Sequence, residues 1–447
     1  MLKRINPFLF LSFFLFISSP SLFAQPTVNY TPLQDVKIKD GQLWVYADNG
    51  KYVLFFIKGV DYQPTPIGRH PRDWGYSSND PRSIHNNIFD DPAILNRDFS
   101  QLRKMNANTI RIWKGDNTTD CHGHSSNKLT NAKTTINADK AQNTLDLAAK
   151  YGLRVIAGFW VNSLIFDKNG NVETKDGNNR PLSRQQIINN FIAYVKTFKD
   201  DRAILFWAIG NENNRNKING EHLSPQQLRV WYALVNDMAQ AAHNAEGPGF
   251  HPVAVVNLEV HTIGNFDDGS SDEQLPDLDI WGVNAYRGKS FYTLFTEYHE
   301  KSKKPLWLSE LGIDAWHVND VDNPDNGFED QDAQSDWTVS LWDEIVKNMP
   351  ITIGGTVMEY SDEWWKSSEE DLANPYLKPK DRVKLMKKYG SVHKHLGYKD
   401  GGLPGRYASR EWFGIMSISR NPDPKGPDLM SERKVYYNLQ KEWKSNP

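Results

Sequence analysis

Cysteine is almost missing from this chain: Cys121 is the single one among 447 residues. No internal disulfide is available, so an apolar core has to hold the fold. A surplus of positive charge is absent too, since 52 Lys and Arg face 55 Asp and Glu for a formal net charge of −3. Without a basic field nothing favours a phosphate backbone, and nucleic acid is excluded as the expected partner. Beyond the first residues, no apolar run approaches the roughly 20 residues needed to cross a hydrocarbon core, which excludes a membrane span from the mature protein. Internal repeats and a flexible linker are also lacking, so nothing marks off a second domain.

What is present begins at the N-terminus. Lys3 and Arg4 precede an apolar run from Phe8 to Ile17, a polar stretch from Ser18 to Ser21, and a small residue, Ala24, before Gln25. This is the pattern of a secretory signal peptide over 1–24, implying export to the periplasm or the medium and a mature chain, 25–447, read as one domain. Removing Lys3 and Arg4 takes the net charge from −3 to −5, ordinary for a globular enzyme. Aromatic residues are plentiful, 12% with 15 Trp, and aromatic faces are what proteins stack on the apolar faces of sugar rings as well as what they bury in cores.

Short β-branched and aromatic runs alternate with segments of helical period, the pattern of a parallel α/β sheet. Eight such runs occur: Phe55 to Val60, Thr109 to Trp113, Arg154 to Phe159, Ile204 to Ile209, Val253 to Leu258, Ile280 to Asn284, Leu306 to Leu308 and Ile353 to Met358. They predict a (β/α)8 TIM barrel. Ser183 with Gln186, and Ser224 with Pro225 and Gln227, read as capping boxes that start two of the helices. The Asp-, Ser- and Gly-rich stretch from Asn265 to Pro276 predicts a short or missing fifth helix. Val36 to Val53 reads as a small N-terminal hairpin turning at Asp48-Asn49-Gly50, a plug or lid under the barrel floor. A long insertion follows the eighth strand, from Lys366 to Arg410, and is expected to shape one end of the cleft.

In such barrels function sits where strands end. Gly210-Asn211-Glu212 follows the fourth strand and Ser309-Glu310-Leu311-Gly312 the seventh. A carboxylate directly after a buried strand is expensive to desolvate unless it is paired or used, and two on opposite strands match the need of a retaining glycosidase. One carboxyl protonates the leaving oxygen and later activates the incoming one, while the second, about 5 to 5.5 Å away, attacks the anomeric carbon. Asn211 is placed to meet a sugar 2-hydroxyl, Arg111 to pair with Glu310, and Tyr286 to orient it. Trp364 or Trp365 is a candidate sugar platform, and Trp160, Asn162 and Trp113 are candidate walls. Asp61, Tyr62 and Glu359, at the ends of the first and eighth strands, complete the candidate substrate-binding set.

These motifs together resemble the retaining clan A glycoside hydrolases. Lys58-Gly59-Val60-Asp61-Tyr62-Gln63-Pro64, Ile110-Arg111-Ile112, Gly210-Asn211-Glu212, Asn284-Ala285-Tyr286, Ser309-Glu310-Leu311-Gly312 and Gly354-Gly355-Thr356-Val357-Met358-Glu359-Tyr360 are most similar to fungal β-1,3-glucanosyltransferases and to family 2-type catalytic barrels, with Glu411-Trp412-Phe413-Gly414 a looser match. The resemblance implies Glu212 as general acid/base and Glu310 as nucleophile, an oligo- or polysaccharide substrate such as a β-linked glucan, and no cofactor. It departs from the fungal enzymes in lacking their several cysteines and an added C-terminal module. Hydrolysis and transglycosylation both remain open, and a noncatalytic sugar-binding barrel is the alternative from another class, disfavoured by the intact glutamate pair. Asp320, Asp322 and Asp325 have oxygen-ligand spacing without a fixed calcium-loop pattern, and His122 and His124 beside Cys121 lack further ligands, so no metal is expected.

Overall fold

The structure, a computed structural model, describes residues 35–47, 50–63, 65–67, 91–113, 144–175, 181–364, 366, 397–423 and 426–445. The proposed signal peptide, Cys121, His122, His124, Pro64 and Trp365 lie outside the described residues. No helix among those described is long and apolar enough to cross a membrane.

Eight parallel strands close a barrel: β1 (Ile57–Asp61), β2 (Thr109–Ile112), β3 (Arg154–Phe159), β4 (Ile204–Ile209), β5 (Val253–Leu258), β6 (Ile280–Asn284), β7 (Leu306–Leu311) and β8 (Thr352–Val357), each bonded to its neighbours in chain order, with β8 returning to β1. Buried on both sides, such strands need apolar residues at almost every position, which explains the run Ile-Leu-Phe-Trp-Ala-Ile of β4, buried throughout. Around the barrel stand α1 (Pro92–Lys104), a helical segment over 144–150, α2 (Arg184–Phe198), α3 (Pro225–Glu246), α4 (Leu294–Lys301), α5 (Gln331–Lys347) and α6 (Lys434–Ser445). Both expected capping boxes form: Ser183 and Ser224 each accept from the third helical N–H while Gln186 and Gln227 reach back. Between β5 and β6 only turns are found, as the polar stretch implied.

The expected N-terminal hairpin forms, Gln42–Tyr46 pairing antiparallel with Tyr52–Leu54, and one further strand precedes it. Val36–Lys39, Gln42–Tyr46 and Tyr52–Leu54 make an antiparallel meander. The overlooked turn is Asp40-Gly41, where both residues take positive φ, 53° and 71°, the geometry of a tight two-residue hairpin. Its apolar face, Val36, Leu43 and Val45, closes the barrel floor against Ile57, Phe206 and Trp307, and Gln42 Nε2 donates to Pro350 O at 2.6 Å.

After β8 the chain recrosses the barrel mouth. Glu359 N donates to Phe413 O, Ile415 N to Glu359 O and Met416 N to Tyr360 O, so 413–416 runs as an extended strap along the exit of β8. A buried ion pair fixes it: Arg433 Nη1 and Nη2 hold Asp362 at 2.6 and 2.8 Å, and Nη1 also donates to Gly414 O.

Candidate active site

Local backbone geometry sets the acid end. Gly210, at φ 64°, ends β4 so tightly that a Cβ would lie 2.2 Å from Asn213 Oδ1, which only glycine avoids. Asn213 clamps the turn: its Oδ1 accepts from Asn211 N at 3.1 Å, and its Nδ2 donates to the carbonyls of Val161 and Asn162 beyond β3. Glu212 is thereby held in the left-handed region, φ 54° and ψ 28°, a conformation that costs a glutamate roughly 1 kcal/mol or more and that the surrounding bonds have to impose. Its N–H donates to Val256 O on β5.

A register shift sets the other end. Val283 of β6 pairs with Leu308 of β7, yet Asn284 pairs with Glu310, so one residue of β7, Ser309, bulges out of the ladder. A bulge frees a carbonyl and re-aims side chains. Ser309 O accepts from Arg111 Nη1 at 2.9 Å and from Thr356 Oγ1 at 2.7 Å, while Ser309 Oγ donates to Asn284 Oδ1 at 2.7 Å. β7 runs on to Leu311, three residues past the expected end, so Glu310 lies within the strand rather than after it.

Three donors converge on the Glu310 carboxylate. Arg111 Nη1 and Trp113 Nε1 both reach Oε1 at 2.9 Å, and Tyr286 Oη reaches Oε2 at 2.9 Å. Arg111 Nη1 also lies 3.3 Å from Asp61 Oδ1, a longer contact than its bond to Glu310, and burial pushes the Asp61 carboxyl well above the usual range against the lowering effect of Arg111. Its second nitrogen donates to Asn211 Oδ1 at 2.8 Å. Asn284 then links the two ends, its Nδ2 reaching Glu212 Oε1 at 3.0 Å and Asn211 Oδ1 at 3.2 Å. Burial, then the charge of Glu310, raise the Glu212 carboxyl above its ordinary range, against the lowering effects of Asn284 and Arg215. The site therefore separates two carboxyls by environment: one ringed by donors, one pushed toward holding a proton. Both open into a cavity of about 950 Å3 that is also walled by Arg215, Tyr286, Tyr398 and Phe413.

Arg111 is the keystone of this charge arrangement, with a side chain 1% exposed between partners that are 0% and 8% exposed. Replacing it by Met is expected to destabilise the protein by about 3 to 5 kcal/mol, the usual effect of stranding a buried charge. Urea denaturation measures this directly; a loss under about 1 kcal/mol would mean that Asp61 and Glu310 do not depend on the guanidinium.

Not all sequence candidates meet here. Tyr62 is fully buried on the outer side of β1, where its hydroxyl donates to Asp98 Oδ2 at 2.9 Å and its ring packs on Phe99 and Tyr360. Trp364 is also fully buried, packs with Ile67, Ala315, Trp412 and Ile418, and donates to Thr65 O, so it offers no face to a ligand. Asp61 lies fully buried beneath Arg111 in the barrel interior and is absent from the cavity lining. Glu359 is buried beside Glu363 and Lys366, with burial and the charge of Glu363 pushing its carboxyl well above the usual range; Lys366, not Glu359, reaches the cavity. Trp160 stands exposed beyond β3 and donates to Asn162 Oδ1 at 2.9 Å, at the rim. Asp322 pairs with Lys399 rather than gathering with Asp320 and Asp325, and no cluster of three metal-ligating side chains occurs among the described residues. Arg215 and Tyr398 were missed from the sequence, while Asn284 and Phe413 stood there only within the motifs that carry the resemblance, with no site role. Asn284 had a visible signal, a polar amide at the end of an otherwise apolar strand.

A closed (β/α)8 barrel with two glutamates presented from β4 and β7 at its C-terminal mouth belongs to the architecture of retaining glycoside hydrolases and transglycosidases. Within that class this chain resembles the glucanosyltransferases. The glucanosyltransferase family model matches residues 27–152, which hold β1, α1 and β2 and end before the strands with the glutamates. The 1,3-beta-glucanosyltransferase gas4 of Schizosaccharomyces pombe is 23% identical over 442 residues, covering 94% of this chain and 80% of the relative. Its gas5 is 24% identical over 346 residues, covering 73% of this chain and 54% of the relative. Among solved structures, Faecalibacterium prausnitzii beta-glucuronidase superimposes with a TM-score of 0.50 at 14% identity, over 92% of this chain and 52% of that one, a likeness of fold alone. The chain spans about half the length of gas5 and of the glucuronidase.

Proposed function

We propose that the protein is an exported, retaining β-1,3-glucan transglycosidase in which residues 25–447 act as one catalytic domain, Glu310 is the nucleophile and Glu212 the general acid/base. The observation that carries this reading is the convergence of Arg111, Trp113 and Tyr286 on Glu310, across from a Glu212 whose environment favours its protonated form. In the first step a Glu310 oxygen attacks C1 and the C1–O bond breaks, its electron pair going to the leaving oxygen, which takes the Glu212 proton. In the second, an acceptor hydroxyl gives its proton to the Glu212 carboxylate and attacks C1, and Glu310 leaves, with net retention. The two carboxyls need to stand about 5 to 5.5 Å apart for this chemistry. With a sugar acceptor the result is transfer, and with water it is hydrolysis. The relatives' names support transfer on β-1,3-glucan.

Incubating the purified protein with one β-1,3-linked oligosaccharide distinguishes the two outcomes. Transfer yields products longer than the starting chain, with reducing ends constant; shorter products alone, with new reducing ends, identify a hydrolase. No reaction on any β-glucan of this linkage would refute the substrate assignment.

A further inference from the structure

Both oxygens of Glu212 are occupied in the resting site. Oε1 accepts from Asn284 Nδ2 at 3.0 Å, and Oε2 from Arg215 Nη1 at 2.9 Å. A carboxylic acid that must hand a proton to a glycosidic oxygen needs one oxygen released from such a donor, because that oxygen has to carry the hydrogen itself and aim it at the substrate. The two donors differ in their freedom to leave. Asn284 is fully buried, its carbonyl oxygen accepts from Ser309 Oγ, and its amide is shared with Asn211. Arg215 has a side chain 57% exposed, stands at the end of a single 3-10 turn (Asn213–Arg215), and lines the cavity.

We propose, resting on the reaction assigned above, that Arg215 is a displaceable counter-ion: it occupies Glu212 Oε2 while the site is empty and yields that position to the glycosidic oxygen, so that Oε2 is the atom that carries the proton. Arg215 favours the carboxylate whenever it is in place, and its departure on substrate binding removes that bias, which couples proton uptake to the arrival of the sugar. Once the first leaving group has gone, the guanidinium is free to return to Oε2 and favour the ionised form until an acceptor hydroxyl displaces it in turn and gives its proton to Oε2, the reverse of the first step. Other charged or titratable groups face Glu212 as well: Glu310 from β7, Tyr286 from beyond β6 and Tyr398 from the strand Gly397–Lys399. Lys217, His222, Lys366, Asp400 and Arg410 line the same cavity. Among the described residues Arg215 is the cation that hydrogen-bonds to Glu212, and it acts through Glu212 as a positioning residue.

The test is the pH profile of Arg215→Met on a β-1,3-oligosaccharide, beside Arg215→Lys. The alkaline limb of kcat/KM reports the acid in the free enzyme, and that of kcat reports it in the complex. Arg215→Met is expected to move the kcat/KM limb upward by roughly 0.2 to 0.7 pH unit, the size for a half-exposed ion pair, and to leave the kcat limb in place because the guanidinium has already left. Arg215→Lys should restore the wild-type limb. Equal movement of both limbs overturns the displacement, and movement of neither overturns the pairing. A carbon-13 titration of the Glu212 carboxyl in the free protein gives a readout apart from turnover, and it should rise in Arg215→Met by the same amount. Absence of turnover on every β-glucan sinks the assigned reaction and the displacement with it, whereas an unshifted Glu212 titration in an active enzyme sinks the counter-ion role alone.

Discussion

Glu310→Gln is expected to lower kcat by about 10^4-fold or more on every substrate, whatever its leaving group, since removing a group that forms the covalent intermediate usually has effects of this size. The amide is nearly isosteric with the carboxylate, so the cavity keeps its shape. It cannot form the glycosyl ester, and its NH2 would face Arg111, Trp113 and Tyr286, all of which are donors where the carboxylate accepted. One orientation places a donor against Trp113 and Arg111, and the other places it against Tyr286. Folding should survive because the site is partly open to the cavity, and a thermal melt near that of the wild type would separate lost chemistry from lost structure. Substantial turnover of an activated aryl glycoside by this variant would show that Glu310 is not the nucleophile.

Glu212→Ala divides substrates instead of silencing all of them. Cleavage of a β-glucan, whose leaving sugar alkoxide needs a proton, should fall by roughly 10^2- to 10^4-fold, the range for one general acid/base. An aryl glycoside with an acidic phenol departs unassisted, so its first step should persist and the glycosyl-enzyme should accumulate, since no base remains to activate the acceptor. Added azide, which needs no deprotonation, enters the space left by the carboxylate and releases the sugar as a β-glycosyl azide, a product whose configuration reports two inversions at C1. The truncation also leaves Asn284 Nδ2 and Arg215 Nη1 without the partner they share, which frames the vacated space with two donors suited to an anion. If both substrates lose activity equally and azide restores nothing, the roles of the two glutamates have to be reassigned.

Residues that are neighbours in sequence were readable from the sequence by itself. The apolar runs of β3 to β6 match their observed bounds, because a strand buried on both sides needs a continuous apolar run and little else. The capping boxes are visible for the same reason, as the partners stand three residues apart. Glu212 and Glu310 are conspicuous as charges set against such runs, and strand order alone puts them on one rim. Part of what went astray was also legible: side chains on β1 alternate, so with Asp61 pointing at Arg111 inside the barrel, Tyr62 had to point out toward α1.

Other features depended on contacts no local pattern encodes. The Ser309 bulge that turns Glu310 toward its donors arises from the mismatch between β7 and both neighbouring strands, and register is a property of a pair. That Trp364 is buried while Phe413 lines the cavity goes with the strap over 413–416, bound by Arg433 and Asp362 from positions 71 residues apart. That strap seats Trp412 in the cluster holding Trp364 and stands Phe413 edge-on to Tyr286, with ring centroids 5.8 Å apart. The chemical identity of the acid, the nucleophile and the guanidinium is local and survives in one dimension. Their protonation and aim depend on burial and on partners brought together from strands all around the barrel, a matter of three-dimensional packing that one-dimensional spacing does not carry.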